Sequence, residues 1–145
     1  MPPDFNNKPP VLAIVDDEQS VVQFLGLLFR RSGFIVHSFT DSSLFMEWLE
    51  ENRCDTLILD WHMPNIDGFT LLCMIHQRDP KLPVIVFSGL FFDEEEQSAI
   101  RDAGAFDYMC KGSSAADTID LVKRAVAYGQ MEANEDSVVR SENVG

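Results

Sequence analysis

Positive charge is scarce in this chain: 11 lysines and arginines stand against 24 aspartates and glutamates, a formal net charge of −13 with a pI near 4.4. A surface of that balance repels phosphate backbones, which argues against direct nucleic-acid binding by this chain alone. Long apolar runs are missing too. None approaches the roughly 20 residues that a bilayer-spanning helix needs. The start, Met1-Pro2-Pro3-Asp4-Phe5, is polar and proline-broken, without the apolar stretch of a signal peptide. The expectation is a cytoplasmic protein with no membrane partner. Cysteine is sparse: Cys54, Cys73 and Cys110 are odd in number and fall into no paired metal-ligand spacing, so they read as reduced thiols. No glycine-rich loop follows the first apolar run, which removes the P-loop and dinucleotide fingerprints. No internal repeat is apparent.

What is present suits a single compact domain, for 145 residues at 46% hydrophobic can bury a real core. Residues 1–10, with four prolines, read as a disordered leader. Residues 130–145, where Glu132, Glu135, Asp136 and Glu142 face a lone Arg140, read as a flexible acidic tail or linker. Between them, over 11–129, short apolar runs at 11–15, 34–39, 56–60, 82–88 and 106–110 alternate with amphipathic stretches. The runs are brief, and Val, Ile and Leu dominate the first, third and fourth, as expected of parallel strands covered on both faces. Helical spacing places Val21, Phe24, Leu25 and Leu28 on one face of 19–32, and Leu44, Phe45, Trp48 and Leu49 on one face of 42–52. The corresponding sets are Phe69, Leu72 and Ile75 in 68–77, Ala99, Ile100 and Ala103 in 93–104, and Ile119, Val122 and Val126 in 115–129. Gly33 and Gly104 stand just past helix ends, and Asp41 or Ser42, the acidic Asp93-Glu94-Glu95-Glu96 and Ser113 or Ser114 mark helix starts. Five strands alternating with five helices predict an α/β fold, a parallel sheet with right-handed crossovers.

Four of the apolar runs end on polar residues: Asp16-Asp17, Asp60, Ser88-Gly89 and Lys111-Gly112. The C-terminal edge of a parallel sheet is where such folds carry their chemistry. Taken alone, Asp16-Asp17-Glu18 fits a helix N-cap, Ser88 a turn and Lys111 a solvated edge. Brought to one edge, the acids repel one another unless a cation joins them, and Mg2+ or Mn2+ takes such oxygen ligands. Asp60 is then a carboxylate nucleophile suited to an aspartyl phosphate. Lys111 supplies a point charge and Ser88 a hydroxyl donor for the phosphoryl oxygens.

These residues carry a resemblance. Val15-Asp16-Asp17-Glu18, Leu59-Asp60-x-x-Met63-Pro64-x-x-Asp67-Gly68, Val86-Phe87-Ser88-Gly89 and Gly104-Ala105-x-x-Tyr108-x-x-Lys111 resemble, in order and spacing, the CheY-like receiver domain of two-component response regulators. The likeness covers roughly residues 10–129 and implies a flavodoxin-like (βα)5 fold, a single-domain doubly wound parallel sheet of strand order 2-1-3-4-5. It implies that Asp60 accepts a phosphoryl group from a histidine kinase or a histidine phosphotransfer protein. It implies Mg2+ (or Mn2+) on Asp17, Asp60 and the backbone carbonyl of His62, with Asp16 acting through water. Ser88 and Lys111 would hold the phosphoryl oxygens. Tyr108 would change rotamer with Ser88 and pass the switch to the surface of the fourth helix, fifth strand and fifth helix, toward an effector or dimer partner.

Two departures from the family pattern stand out. Gly112 follows Lys111 where the family has proline, which favours a trans bond and a mobile loop, since a cis bond before a non-proline residue costs about 2.5–4 kcal/mol. Leu90-Phe91-Phe92 puts apolar groups at the mouth of the site, and Leu90, with His62 opposite, is expected to lengthen the phosphorylated lifetime. Val22, Gly26 and Leu27 on the first helix are expected to face outward as a docking surface for the phosphodonor's helices. Phe91 and Phe92, beside Tyr108, are expected on an output or dimer surface. Cys73 and Met74 are expected to face solvent, and no role follows for His37 or His76. Two competing readings remain. A Mg2+-dependent aspartyl-phosphate phosphohydrolase would carry its nucleophile on the first strand, two residues before a second Asp, whereas this chain has adjacent acids there and no cap domain. A receiver-like scaffold that is never phosphorylated would have little use for the full acid, hydroxyl and lysine set.

Overall fold

The sheet has five strands, β1 (Val11–Val15), β2 (Ile35–Phe39), β3 (Thr56–Asp60), β4 (Val84–Ser88) and β5 (Asp107–Cys110), with Val, Ile and Leu dominating β1, β3 and β4. They pair in parallel in the order β2-β1-β3-β4-β5. The helices between and after them are α1 (Gln19–Arg31), α2 (Ser42–Glu51), α3 (Gly68–Arg78), α4 (Glu94–Asp102) and α5 (Ala115–Asn143). The structure is a computed structural model describing the backbone of residues 8–143 and the side chains of 8–132. The leader expectation for residues 1–7 therefore lies outside the described residues, while Pro10 is buried and its carbonyl accepts the Ile35 N–H at 2.9 Å.

Successive residues of each central strand point to opposite faces, so the sheet divides the core in two. Ala13, Val15, Leu57, Leu59, Val84 and Val86 pack with α2, α3 and α4 through Phe45, Leu49, Leu71, Leu72, Ile75 and Ile100. Leu12, Ile14, Ile58, Ile85 and Phe87 pack on the other side with α1 and α5 through Val22, Leu25, Phe29, Leu121, Val122 and Val126. Both faces being covered is why these strands are apolar throughout rather than alternating. The chain leaves β1 toward β2 on one side and returns to β3 on the other, which opens a crevice at the carboxyl ends of β1 and β3. The registers Val15↔Leu59, Asp60↔Phe87 and Ser88↔Cys110 bring the ends of β1, β3, β4 and β5 to that same edge.

Helix starts follow local chemistry. Asp41 accepts the Ser43 N–H at 2.8 Å, Asp93 and Glu96 form a reciprocal capping box, and the Ser114 hydroxyl accepts the Asp117 N–H at 3.1 Å. The faces differ from expectation in α1, whose buried stripe is Val22, Leu25, Gly26 and Phe29, while Phe24 is 61% exposed. Val22 and Gly26, expected outward, are thus in the core, and Leu27 alone of that trio is exposed. Apolar residues at 21, 22, 24, 25, 27, 28 and 29 cover too much of the circumference for periodicity to choose a stripe. Tertiary packing chooses it, with Phe29 edge-on to Phe34 at 5.2 Å. Likewise Leu71 rather than Phe69 completes the buried face of α3, and Leu44 is exposed on α2.

The last helix, expected over 115–129, continues past Gly129 to Asn143. Gly129 has a packing reason: a Cβ there would lie 3.1 Å from Pro83 Cγ, so the small residue lets α5 pass the α3–β4 loop closely. The glycine costs about 1 kcal/mol relative to Ala, and the Ala, Gln, Met and Glu residues around it favour helix with no proline to interrupt them.

Candidate acid pocket at the sheet edge

Asp16 and Asp17 follow β1, Asp60 ends β3, Ser88 ends β4 and Lys111 follows β5. Asp16, Asp60 and Ser88 are buried, while Asp17 is exposed. One carboxylate oxygen from each of Asp16, Asp17 and Asp60 lies within 4.8 Å of the others. The Lys111 ammonium reaches Asp16 Oδ2 at 3.0 Å, Asp60 Oδ1 at 3.4 Å and Glu18 Oε1 at 3.4 Å. Asp16 Oδ1 accepts the Glu18 N–H at 2.9 Å, and Asp60 Oδ1 accepts the His62 N–H at 3.2 Å. Asp60 Oδ2 is buried and has no hydrogen-bond partner among the described residues.

Burial pushes the Asp60 carboxyl up to about 7, Asp17 and Asp16 push the same way, and Lys111 and the His62 N–H oppose them without prevailing. Burial also works against the Lys111 ammonium, but the hydrogen bond to Asp16 and the charges of Asp16, Asp60 and Glu18 outweigh it and hold its pKa above the usual lysine range. Three converging carboxylates, one with an orphaned buried oxygen, are what an oxygen-ligated divalent cation fits. The donor set therefore fits a metal site.

Ser88 lies at the same edge. Its hydroxyl oxygen accepts the Leu90 N–H at 3.1 Å, which leaves its own proton to donate, and its carbonyl accepts the Lys111 N–H at 2.8 Å. No peptide bond among the described residues is cis, so Lys111–Gly112 is trans. Gly68 packs against Trp61: a Cβ there would lie 2.6 Å from the Trp61 carbonyl, so the Asp67-Gly68 step lets α3 start directly behind the Asp60 loop. His62 and Asp67 close that loop with an isolated antiparallel bridge.

Tyr108 is half-buried on β5, edge-on to Phe92 at 5.4 Å, with the Arg101 guanidinium 5.6 Å from its ring centre. Phe92 in turn meets Trp61 edge-on at 6.2 Å. A row of rings thus runs from the residue after Asp60 to Tyr108. Phe92, expected on a surface, is buried in this row, whereas Phe91 is 91% exposed and Leu90 is also exposed. Sequence reasoning missed two contacts, Glu18 to Lys111 and Trp61 to Phe92. Each joins residues far apart in the chain, and composition carried no signal for either.

A parallel five-stranded sheet whose strand tips gather three acids, a hydroxyl and a lysine defines a receiver-type signalling domain. The chain belongs to that family: residues 12–123 match the response regulator receiver domain. It is 30% identical over 128 residues to the DNA-binding transcriptional regulator NtrC of Escherichia coli (strain K12), an alignment covering 88% of this chain and 27% of that protein. The chain thus spans about a quarter of the length of such curated relatives. Among solved structures, the CheY-like receiver domain protein from Methanospirillum hungatei JF-1 has the same fold, with a TM-score of 0.80 at 20% identity over 86% of this chain and 99% of that one. The BeF3-activated DrrB receiver domain superposes with a TM-score of 0.73 at 25% identity over 82% of this chain and 98% of that one. The matched domain is accordingly a signalling phosphoacceptor of the two-component kind, which sets the phosphohydrolase reading of that domain aside. Among the described residues no helix is long and apolar enough to cross a membrane.

Proposed function

We propose that Asp60 is the phosphoacceptor, receiving the group from a phosphohistidine on a histidine kinase or histidine phosphotransfer protein in the cytoplasm. The observation that carries this reading is the buried Asp60 carboxylate, with one oxygen unpartnered and the other 3.4 Å from Lys111. Asp17, Asp60 and the His62 carbonyl would hold Mg2+ or Mn2+, with Asp16 reaching it through water. The cation's chemistry is to neutralise the acid cluster and the phosphoryl charge. An Asp60 carboxylate oxygen attacks phosphorus, a P–O bond forms, the P–N bond breaks, and its electron pair returns to the donor imidazole. Lys111 offers its charge to the equatorial oxygens, and Ser88 donates its free O–H to one of them.

Drawing Ser88 toward the phosphoryl group pulls on Leu90, whose N–H it accepts, and so on the loop that carries Phe92 against Tyr108. That biases a two-state equilibrium at the α4-β5-α5 surface, where Phe91 is free to meet an effector or dimer partner. Leu27, together with Phe24, offers the exposed apolar face on α1 for the donor's helices. Intact-mass measurement after incubation with acetyl phosphate and Mg2+ tests the assignment: wild type gains one phosphoryl group and Asp60→Asn gains none. Equal labelling of the two refutes it, and no labelling of either favours the unphosphorylated scaffold.

A further inference from the structure

We infer that Glu18 is a positioning residue for this reaction: its carboxylate divides Lys111 between the acid pocket and the surface, and so disfavours small anionic phosphodonors. The inference rests on the reading of Asp60 as acceptor. Glu18 is the N-cap of α1, a position where Ser, Thr, Asp or Asn stabilises a helix by accepting one of its free N–H groups. Glu18 makes no side-chain cap. Its carboxylate turns instead across the sheet edge to the Lys111 ammonium, 3.4 Å away, while Asp16 takes the Glu18 N–H.

Lys111 therefore answers to carboxylates of two kinds. Asp16 and Asp60 are buried within the pocket, whereas the Glu18 side chain is 59% exposed outside it. Glu18 does not belong to the Asp16-Asp17-Asp60 cluster, so removing it removes no cation ligand. The Lys111 backbone is held by its N–H on the Ser88 carbonyl at 2.8 Å, but the ammonium stands at the end of a flexible four-carbon stem. Partners of the side chain, rather than the loop, set where its charge lies. A small anionic donor must be captured by that charge, and Glu18 cancels part of it where the donor enters. A phosphohistidine borne on a protein is delivered by the docked surfaces and depends less on it. Glu18 thereby favours delivered over free donors.

The test compares wild type, Glu18→Gln and Glu18→Ser, the last supplying a good N-cap so that loss of folding cannot explain a result. Initial rates of phosphoryl gain are read by intact mass across an acetyl phosphate series at saturating Mg2+. Both variants should lower the half-saturating acetyl phosphate concentration by about two- to fivefold, the range an exposed ion pair supplies, with the maximal rate moving less. The gap should close at high ionic strength, where screening shortens. If wild type gains no phosphoryl group, the acceptor reading and this inference both fall. If wild type is labelled but the half-saturating concentration is unchanged in the variants, or only the maximal rate moves, the inference alone is overturned.

Discussion

Replacing Asp60 with Asn should stabilise the protein in EDTA at neutral and higher pH, although it removes the proposed acceptor. The reason is the burial of a carboxylate that is 1% exposed and faces two other acids. Each tenfold change in ionisation is worth about 1.4 kcal/mol, so raising this carboxyl from 3.8 to about 7 withholds on the order of 4 kcal/mol once the group is charged. The attraction to Lys111, 3.4 Å away, is already contained in that figure, and an Asn amide with unmet hydrogen-bonding capacity in the buried site offsets part of it, so the expected net gain is about 1–3 kcal/mol. The sign fixes the pH window. With its folded pKa above the unfolded value, Asp60 makes the native state bind more protons, and wild-type stability falls as pH rises between about 4 and 7. The Asn variant lacks this term, so its advantage should be near zero at about pH 4, grow through that window and level off above it. Urea unfolding followed by far-UV circular dichroism, run on both proteins across the window, reads the difference while other carboxyls cancel. Added Mg2+ should then stabilise wild type more than the variant, because binding to the native state is linked to stability. An advantage that does not vary with pH, or an Asn variant less stable than wild type at about pH 8, would refute the reasoning.

Three further outcomes follow from particular contacts. Leu90→Asn replaces an exposed apolar group at the mouth of the site with one that can orient water, and should shorten the phosphorylated lifetime severalfold; equal or slower loss by intact mass contradicts this. Gly104→Ala puts a Cβ 2.5 Å from His76 Nδ1 at a φ of +100°, and should cost about 2–4 kcal/mol by urea unfolding. Adding His76→Ala should recover the steric part and leave the backbone part, so complete recovery refutes the positive-φ argument. Burial, helped by Asp55 and Asp79, pushes the Cys54 thiol up to about 12, so only about one molecule in ten thousand carries the thiolate at about pH 8. Peptide mapping after iodoacetamide should find Cys54 labelled far more slowly than in urea, and equal rates would contradict the burial.

The strands and the chemistry at their tips were legible because each signal is local. An apolar run ending on Asp16, Asp60, Ser88 or before Lys111 reports both a buried strand and the polar group it delivers to the sheet edge. The faces of α1 were not legible, because apolar residues cover most of that helix and only its packing on β1 and β2 selects Val22 over Val21. The burial of Phe92 was hidden for a similar reason: nothing near it in the chain announces Trp61 and Tyr108 on either side. The helix expected over 115–129 continues through Gly129, which is a close-approach residue beside Pro83.

By itself, then, the sequence determined the number and type of elements, the parallel sheet and the identity of the acids, hydroxyl and lysine, since periodicity and strand-end chemistry are properties of neighbouring residues. Only the tertiary structure decided which helix faces are buried, that Asp60 keeps an unpartnered oxygen in the pocket, and that Glu18 shares Lys111 with it. Those are properties of side chains meeting across the sheet, where distance along the chain carries no information and packing and charge settle each partner.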